Sequence, residues 1–265
     1  MDPHSFRGYR TPMFVPASPA IVGPDGLSVL GAADTCLVIF LYGSEDESEP
    51  DICKPAISPD GNVPPVVGAL SDGAINGKRV LVYAPPTKVL HGWTAGQPRE
   101  AYKFYRRDLE FTDLLERTQG AGYRRDRIVV VGHSAGGWIA LTHLAQNPGY
   151  FAGVVAFAPA FAGQRSGQAV NGAFWVPERA TQVRTLREAS SLPSLVYSFE
   201  GDEYESQPAL RDVFKNIPEV TFRPMGRMPA KQTVSGGLWC HNGAYHANFI
   251  DQKQRILGFI ERVIQ

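Results

Sequence analysis

Residues 128–138 read Ile-Val-Val-Val-Gly-His-Ser-Ala-Gly-Gly-Trp, and their reading decides the fold. Ile128 to Val131 is a β-branched run of strand character, and a helix-like pattern begins near Gly137. Between them stands Gly132-His133-Ser134-Ala135-Gly136, a G-x-S-x-G element with a strand before it and a helix after it. A turn tight enough to lift a serine off the end of a buried strand strains the backbone. Cβ atoms two positions to either side would collide across it, and Gly132 and Gly136 remove those collisions. Small Ala135 and Gly137 let the helix pack close. Ser134 then stands at the helix N-terminus, where backbone N–H groups and the dipole favour a developing negative charge. A glycine-rich turn that merely contains a serine is the plainer reading, and the flanking elements argue against it.

Outward from this element, strands alternate with helices. Thr35 to Tyr42 and Arg79 to Ala84 are continuous apolar runs, read as strands covered on both faces. Residues 98–118 are read as a helix, with Phe111, Leu114, Leu115 and Thr118 on one face and Gly120 and Gly122 ending it. A helix over 137–146 follows the serine, stopped by Asn147-Pro148-Gly149. Then come strands at 151–157 and 192–199, a short helix at 208–216, a strand at 220–222 and an amphipathic helix at 249–263. Residues 1–34, rich in Pro, Gly and Ser with short apolar pieces such as Met13-Phe14-Val15, are read as an irregular entry with one or two short outer strands. This rhythm predicts an α/β fold: a mostly parallel central sheet with helices on both faces and right-handed crossovers. Function gathers at the carboxyl ends of such strands. A single domain over 1–265 is expected, with 161–190 as a small lid insertion, or no lid at all; the loop over 225–246 is long enough to be functional.

The 265 residues are 43% apolar and 11% aromatic, an ordinary globular composition. With 26 basic and 26 acidic residues there is no electrostatic footprint for nucleic acid or an anionic membrane. The longest apolar stretch, Cys36 to Tyr42, is too short to span a bilayer. No basic-then-apolar leader opens the chain, so a cytoplasmic protein is expected; a leader removed beforehand would make it secreted or periplasmic. Of three cysteines, Cys36 falls in a strand, while Cys53 and Cys240 fall in loops where a disulfide is an open alternative. No Cys or His spacing suggests zinc, and the acidic run Glu45, Asp46, Glu47, Glu49, Asp51 fits no calcium loop. Neither metal nor cofactor is expected; the partner is a small-molecule substrate, and the oligomeric state is left open.

A serine hydroxyl is a poor nucleophile until a base takes its proton, and that base needs an orienting carboxylate. The expected order is serine, acid, histidine. After the 192–199 strand comes Glu200-Gly201-Asp202-Glu203-Tyr204, where Asp202 is the chosen acid and Glu203 and Glu200 are fallbacks. A solvated acidic turn is the plain alternative. Among six histidines, His4, His133 and His143 are read as structural or exposed, though His133 also borders the substrate side of the turn. His91 precedes the serine and suits substrate contact. His246, directly before the final helix, is the expected base, with His241 as the alternative. The oxyanion donors are expected at the Ala135 N–H and at Ser44 or Gly43 in Tyr42-Gly43-Ser44. Tyr42, Trp93, Trp175, Trp239 and Tyr245 are candidate substrate walls, with core packing as the equal alternative for each.

The Gly132–Gly136 element, Gly201-Asp202 and His246, in that order, together with Tyr42-Gly43-Ser44, resemble the α/β-hydrolase superfamily over residues 35–263. The ending Gly-Ala-Tyr-His-Ala-Asn-Phe-Ile (243–250) is similar to that of dienelactone hydrolase-like and esterase D-like members. Tyr42 stands where many members carry histidine, and the 225–246 loop is unusually long. The resemblance implies acyl transfer to water through an acyl-enzyme, with an ester as substrate. Thioester, amide and acyl-transfer chemistry use the same groups, and a binding module on the same fold is the reading from another class. An aspartate nucleophile, and with it dehalogenation, is excluded by Ser134.

Overall fold

The computed structural model describes residues 13–15, 34–43, 63–71, 73–85, 103–161, 172–227 and 240–264. Among the described residues, eight strands form one sheet: β1 (Met13–Val15), β2 (Thr35–Leu41), β3 (Ala74–Ile75), β4 (Lys78–Ala84), β5 (Ile128–His133), β6 (Gly153–Phe157), β7 (Ser194–Phe199) and β8 (Val220–Met225). Across the sheet the order is β1-β4-β2-β5-β6-β7-β8, with β3 paired only to β4. β1 and β3 run antiparallel to β4, and every other pairing is parallel.

The helices are α1 (Pro65–Leu70), α2 (Lys103–Gly120), α3 (Ala135–Gln146), α4 (Gly172–Arg187), α5 (Gln207–Phe214) and α6 (Lys253–Val263). Alternate side chains of the central strands feed two cores. Leu37, Ile39 and Leu41 of β2 join Ile128 and Val130 of β5 against α2, α3, α4 and α5. Val38 and Phe40 join Val129 and Val131 against α1 and α6. Each such fully buried aliphatic side chain contributes about 1.5–3 kcal/mol.

The split of helices between faces follows from crossover handedness. From β2 the chain moves to β4 on one side, whereas from β5 onward it moves the other way, to β6, β7 and β8. Right-handed connections in opposite directions lie on opposite faces. The reversal opens a crevice between the carboxyl ends of β2 and β5, the place where such sheets bind ligands.

The described part of 161–190 is α4, the crossover helix from β6 to β7, with Val183 and Leu186 buried in the core shared with α3 and α5. Residues 162–171 lie outside the described residues. The final helix is divided, with a 3-10 segment, Ala247–Gln252, preceding α6. No helix among the described residues is long and apolar enough to cross a membrane.

Candidate active site

Ser134 links β5 to α3 with φ 52° and ψ −123°, a conformation that strains any residue bearing a Cβ by about 1–3 kcal/mol. Its surroundings impose it. The Ser134 N–H donates to the Phe157 carbonyl at 3.0 Å, and its own carbonyl accepts from Trp138 N at 3.0 Å and Ala160 N at 3.1 Å. The two glycines of the element have no room for side chains. A Cβ on Gly132 would lie 2.5 Å from Gly137 N, and one on Gly136 would lie 2.3 Å from the Leu41 carbonyl oxygen. Ala135, the first residue of α3, has one of the amides that a helix leaves without an intrahelical partner.

The acid and an imidazole meet at the end of β7. Asp202 follows Gly201, whose φ is 85°, and its side chain is fully buried. Its Oδ1 accepts from Tyr204 N at 2.8 Å and Glu205 N at 3.2 Å. The imidazole that reaches it is that of His241, with Nδ1 at 2.9 Å from Oδ2 and 3.0 Å from Oδ1. A carboxylate can only accept, so Nδ1 carries the proton and Nε2 presents its lone pair. That Nε2 is buried and has no hydrogen-bond partner among the described residues. Tyr204 packs on the His241 ring at a centroid distance of 4.3 Å.

His246 stands elsewhere. It is half-buried, and its Nδ1 accepts from Asn248 N at 3.2 Å, capping the Ala247–Gln252 segment. The expectation that His246 faces the acid is therefore corrected: Asp202 pairs with His241, carried on the preceding 3-10 segment Cys240–Tyr245. Of the fallback acids, Glu200 is exposed and Glu203 half-buried, and neither is hydrogen bonded to His241.

His133 joins the serine turn to the imidazole loop. It is buried, and its Nε2 lies 3.1 Å from the His241 carbonyl oxygen. Burial, assisted by the neighbouring His241, pushes the His133 pKa down to about 3. The neutral ring must donate from Nε2, because a carbonyl only accepts. Tyr245 stands edge-on to this ring at 5.1 Å, and His241 lies at 5.0 Å. Both His133 and Tyr245, expected as substrate contacts, thus pack within the site's wall.

Tyr42 is 3% exposed and packs edge-on to Phe40 in the α1 and α6 core, which makes it a core residue rather than a substrate wall. Gly43 is brought against the serine: a Cβ there would be 3.1 Å from Ser134 Cβ and 3.1 Å from His133 Nδ1. Ser44, Cys53, His91, Trp93 and Trp239 lie outside the described residues, as does the Trp175 side chain. Cys36 is buried, and burial pushes its thiol up to about 12; Cys240 is buried beside Gly201. His143 is buried in α3 with Nδ1 3.0 Å from Asp108 Oδ1.

Sequence reasoning missed four contributors. Tyr204 covers the imidazole. Glu205, fully buried, is held by Arg179 of α4 through two bonds at 2.7 and 2.8 Å, fixing the acid loop. Arg107 of α2 is buried against the Tyr42-Gly43 carbonyls. Tyr204 and Glu205 were legible as neighbours of Asp202, whereas nothing local marks Arg107 or Arg179. Among the described residues, no three His, Cys, Asp or Glu side chains gather to hold a metal ion.

Residues 91–220, just under half of the chain, match the family described as serine aminopeptidase, S33. A comparison with curated proteins gives no match. Among solved structures, the chain is similar to a thermostable esterase (TM-score 0.55, 17% identity, 86% of this chain and 55% of that one). It is also similar to the esterase Pf2001 of Pyrococcus furiosus (TM-score 0.52, 13% identity, 88% and 84%). A third is an S-formylglutathione hydrolase from Agrobacterium tumefaciens (TM-score 0.50, 18% identity, 86% and 84%). The chain spans about half the length of the thermostable esterase. The fold is that of the α/β-hydrolases.

Proposed function

We propose that the protein is a serine hydrolase that cleaves carboxylic esters, with Ser134 as nucleophile, His241 as base and Asp202 as the orienting acid. One observation carries this reading: an imidazole fixed by a buried carboxylate through Nδ1, its Nε2 unmet among the described residues, its ring 5.0 Å from that of His133, the residue before the strained Ser134. His241 Nε2 takes the Ser134 hydroxyl proton as Oγ bonds to the carbonyl carbon. The resulting oxyanion rests on the Ala135 amide at the α3 N-terminus and on an amide of the loop after β2. Collapse expels the alcohol, which leaves with the proton from His241. Water, deprotonated by the same imidazole, then cleaves the acyl-enzyme, and the imidazolium returns the proton to Oγ. No metal or organic cofactor enters these steps.

A fluorophosphonate probe tests the reading, with Ser134→Ala as control. Labelling of the wild type alone is the expected result; labelling of neither protein overturns the hydrolase and favours a binding module. A panel of nitrophenyl esters, thioesters and aminoacyl amides then assigns the substrate class. The aminopeptidase match over 91–220 gives the amides their place in it, and faster turnover of amides than esters would overturn the ester assignment alone.

A further inference from the structure

Arg107 is a buried guanidinium at the reacting end of the sheet, and both of its terminal nitrogens donate to backbone. Nη1 donates to the Gly43 carbonyl at 2.8 Å and Nη2 to the Tyr42 carbonyl at 2.6 Å, from a side chain on α2 that is 5% exposed. We propose that Arg107 is the positioning residue of the oxyanion site: it holds these two carbonyls to one side and so turns the amides bonded to them to the other. The proposal rests on the hydrolase reading of Ser134.

A peptide unit is planar and trans, so its N–H points opposite to its C=O. Fixing the Tyr42 carbonyl therefore fixes the direction of the Gly43 N–H, and the bond to the Gly43 carbonyl holds the far side of the same residue. Gly43 lies directly against Ser134, 3.1 Å from its Cβ at the position a side chain would take. Peptides around a glycine reorient easily, which is useless in a site whose donors must be aimed before charge develops. A guanidinium fork suits the task because its donors sit in a fixed plane and stay charged at any working pH. Rotating either peptide would strip a buried cation of an acceptor, which disfavours the rotated state. The same buried positive charge lies on the far side of the peptides from the oxyanion and adds to the field that favours it.

The test uses the full chain, with Arg107→Met and Arg107→Lys, and the nitrophenyl ester that the wild type turns over best. For Arg107→Met, kcat is expected to fall about 100-fold with KM within threefold, the signature of a lost oxyanion donor. Arg107→Lys keeps the charge but loses the fork, and about tenfold is expected. Affinity for a trifluoromethyl ketone, which binds serine as a hemiketal anion, should fall in parallel with kcat. A merely structural arginine would leave that parallel absent. If the Met variant does not fold, the Lys variant decides. An active wild type whose Arg107→Lys variant keeps kcat within twofold overturns the assignment alone. A wild type with neither turnover nor labelling overturns the hydrolase reading and this assignment with it.

Discussion

His241 and His246 sit in one short segment, and only their backbone surroundings separate their roles. His246 occupies the position before a helical turn and spends Nδ1 on the amide of Asn248. His241 lies where the chain turns back onto Gly201, whose missing side chain leaves space filled by Cys240 Sγ at 3.0 Å from the Cβ position. That contact delivers the next residue to Asp202. A sequence shows the order of acid and histidine but not which of two nearby imidazoles the turn presents, so proximity to the last helix was a misleading cue. His241→Ala is expected to lower kcat by at least about 10³-fold. His246→Ala should keep kcat within about threefold and cost about 0.5–1 kcal/mol as a lost cap. Steady-state kinetics and urea denaturation of the two variants measure this, and the reverse ranking would reassign the base.

At the scale of elements, the contact between β5 and α3 is set by absent atoms. A Cβ at position 136 would meet Leu41 and Tyr42 carbonyl oxygens at 2.3 and 2.4 Å, both of them backbone with nowhere to yield. Gly136→Ala is therefore expected to lose more than about 4 kcal/mol or fail to fold, read by urea denaturation. A folded, fully stable variant would contradict the close docking of helix on strand. This element was legible from sequence because its glycine spacing is a steric requirement. The buried strands were legible too, from β-branched runs with no polar break between Thr35 and Leu41 or between Ile128 and Val131. What escaped was short or ambiguous. The six-residue α1 carries only three buried side chains, and the β3–β4 hairpin has its signal in Asn76-Gly77 alone. In α4 the buried Val183 and Leu186 are interspersed with charges, so the helix read as an insertion. Arg107 was invisible for a different reason: its partners are carbonyls more than 60 positions away, and backbone carries no sequence signal.

Across the whole molecule, stability is coupled to the site through His133. The unfolded chain binds a proton near 6.5, whereas the folded protein resists it until about 3. Over that window the unfolded state holds more protons, so stability rises with pH. The contribution of neutral His133 is complete above 6.5 and is lost as acid is added towards 3. Between pH 6 and 5 this group is expected to add up to about 1.4 kcal/mol per unit to the pH slope of unfolding. His133→Gln can still donate to the His241 carbonyl but does not titrate. Urea denaturation at stepped pH should show its slope reduced by nearly one proton, and an unchanged slope would mean that His133 is not the group that responds.

The order of the working parts along the polypeptide has its own consequence. The serine turn closes β5, the acid follows β7, and the imidazole arrives only after β8. During synthesis the domain grows from its amino end, so the hydroxyl leaves the ribosome long before anything can deprotonate it. On the proposed mechanism, a nascent chain is thus inert towards esters until the Cys240–Tyr245 segment docks.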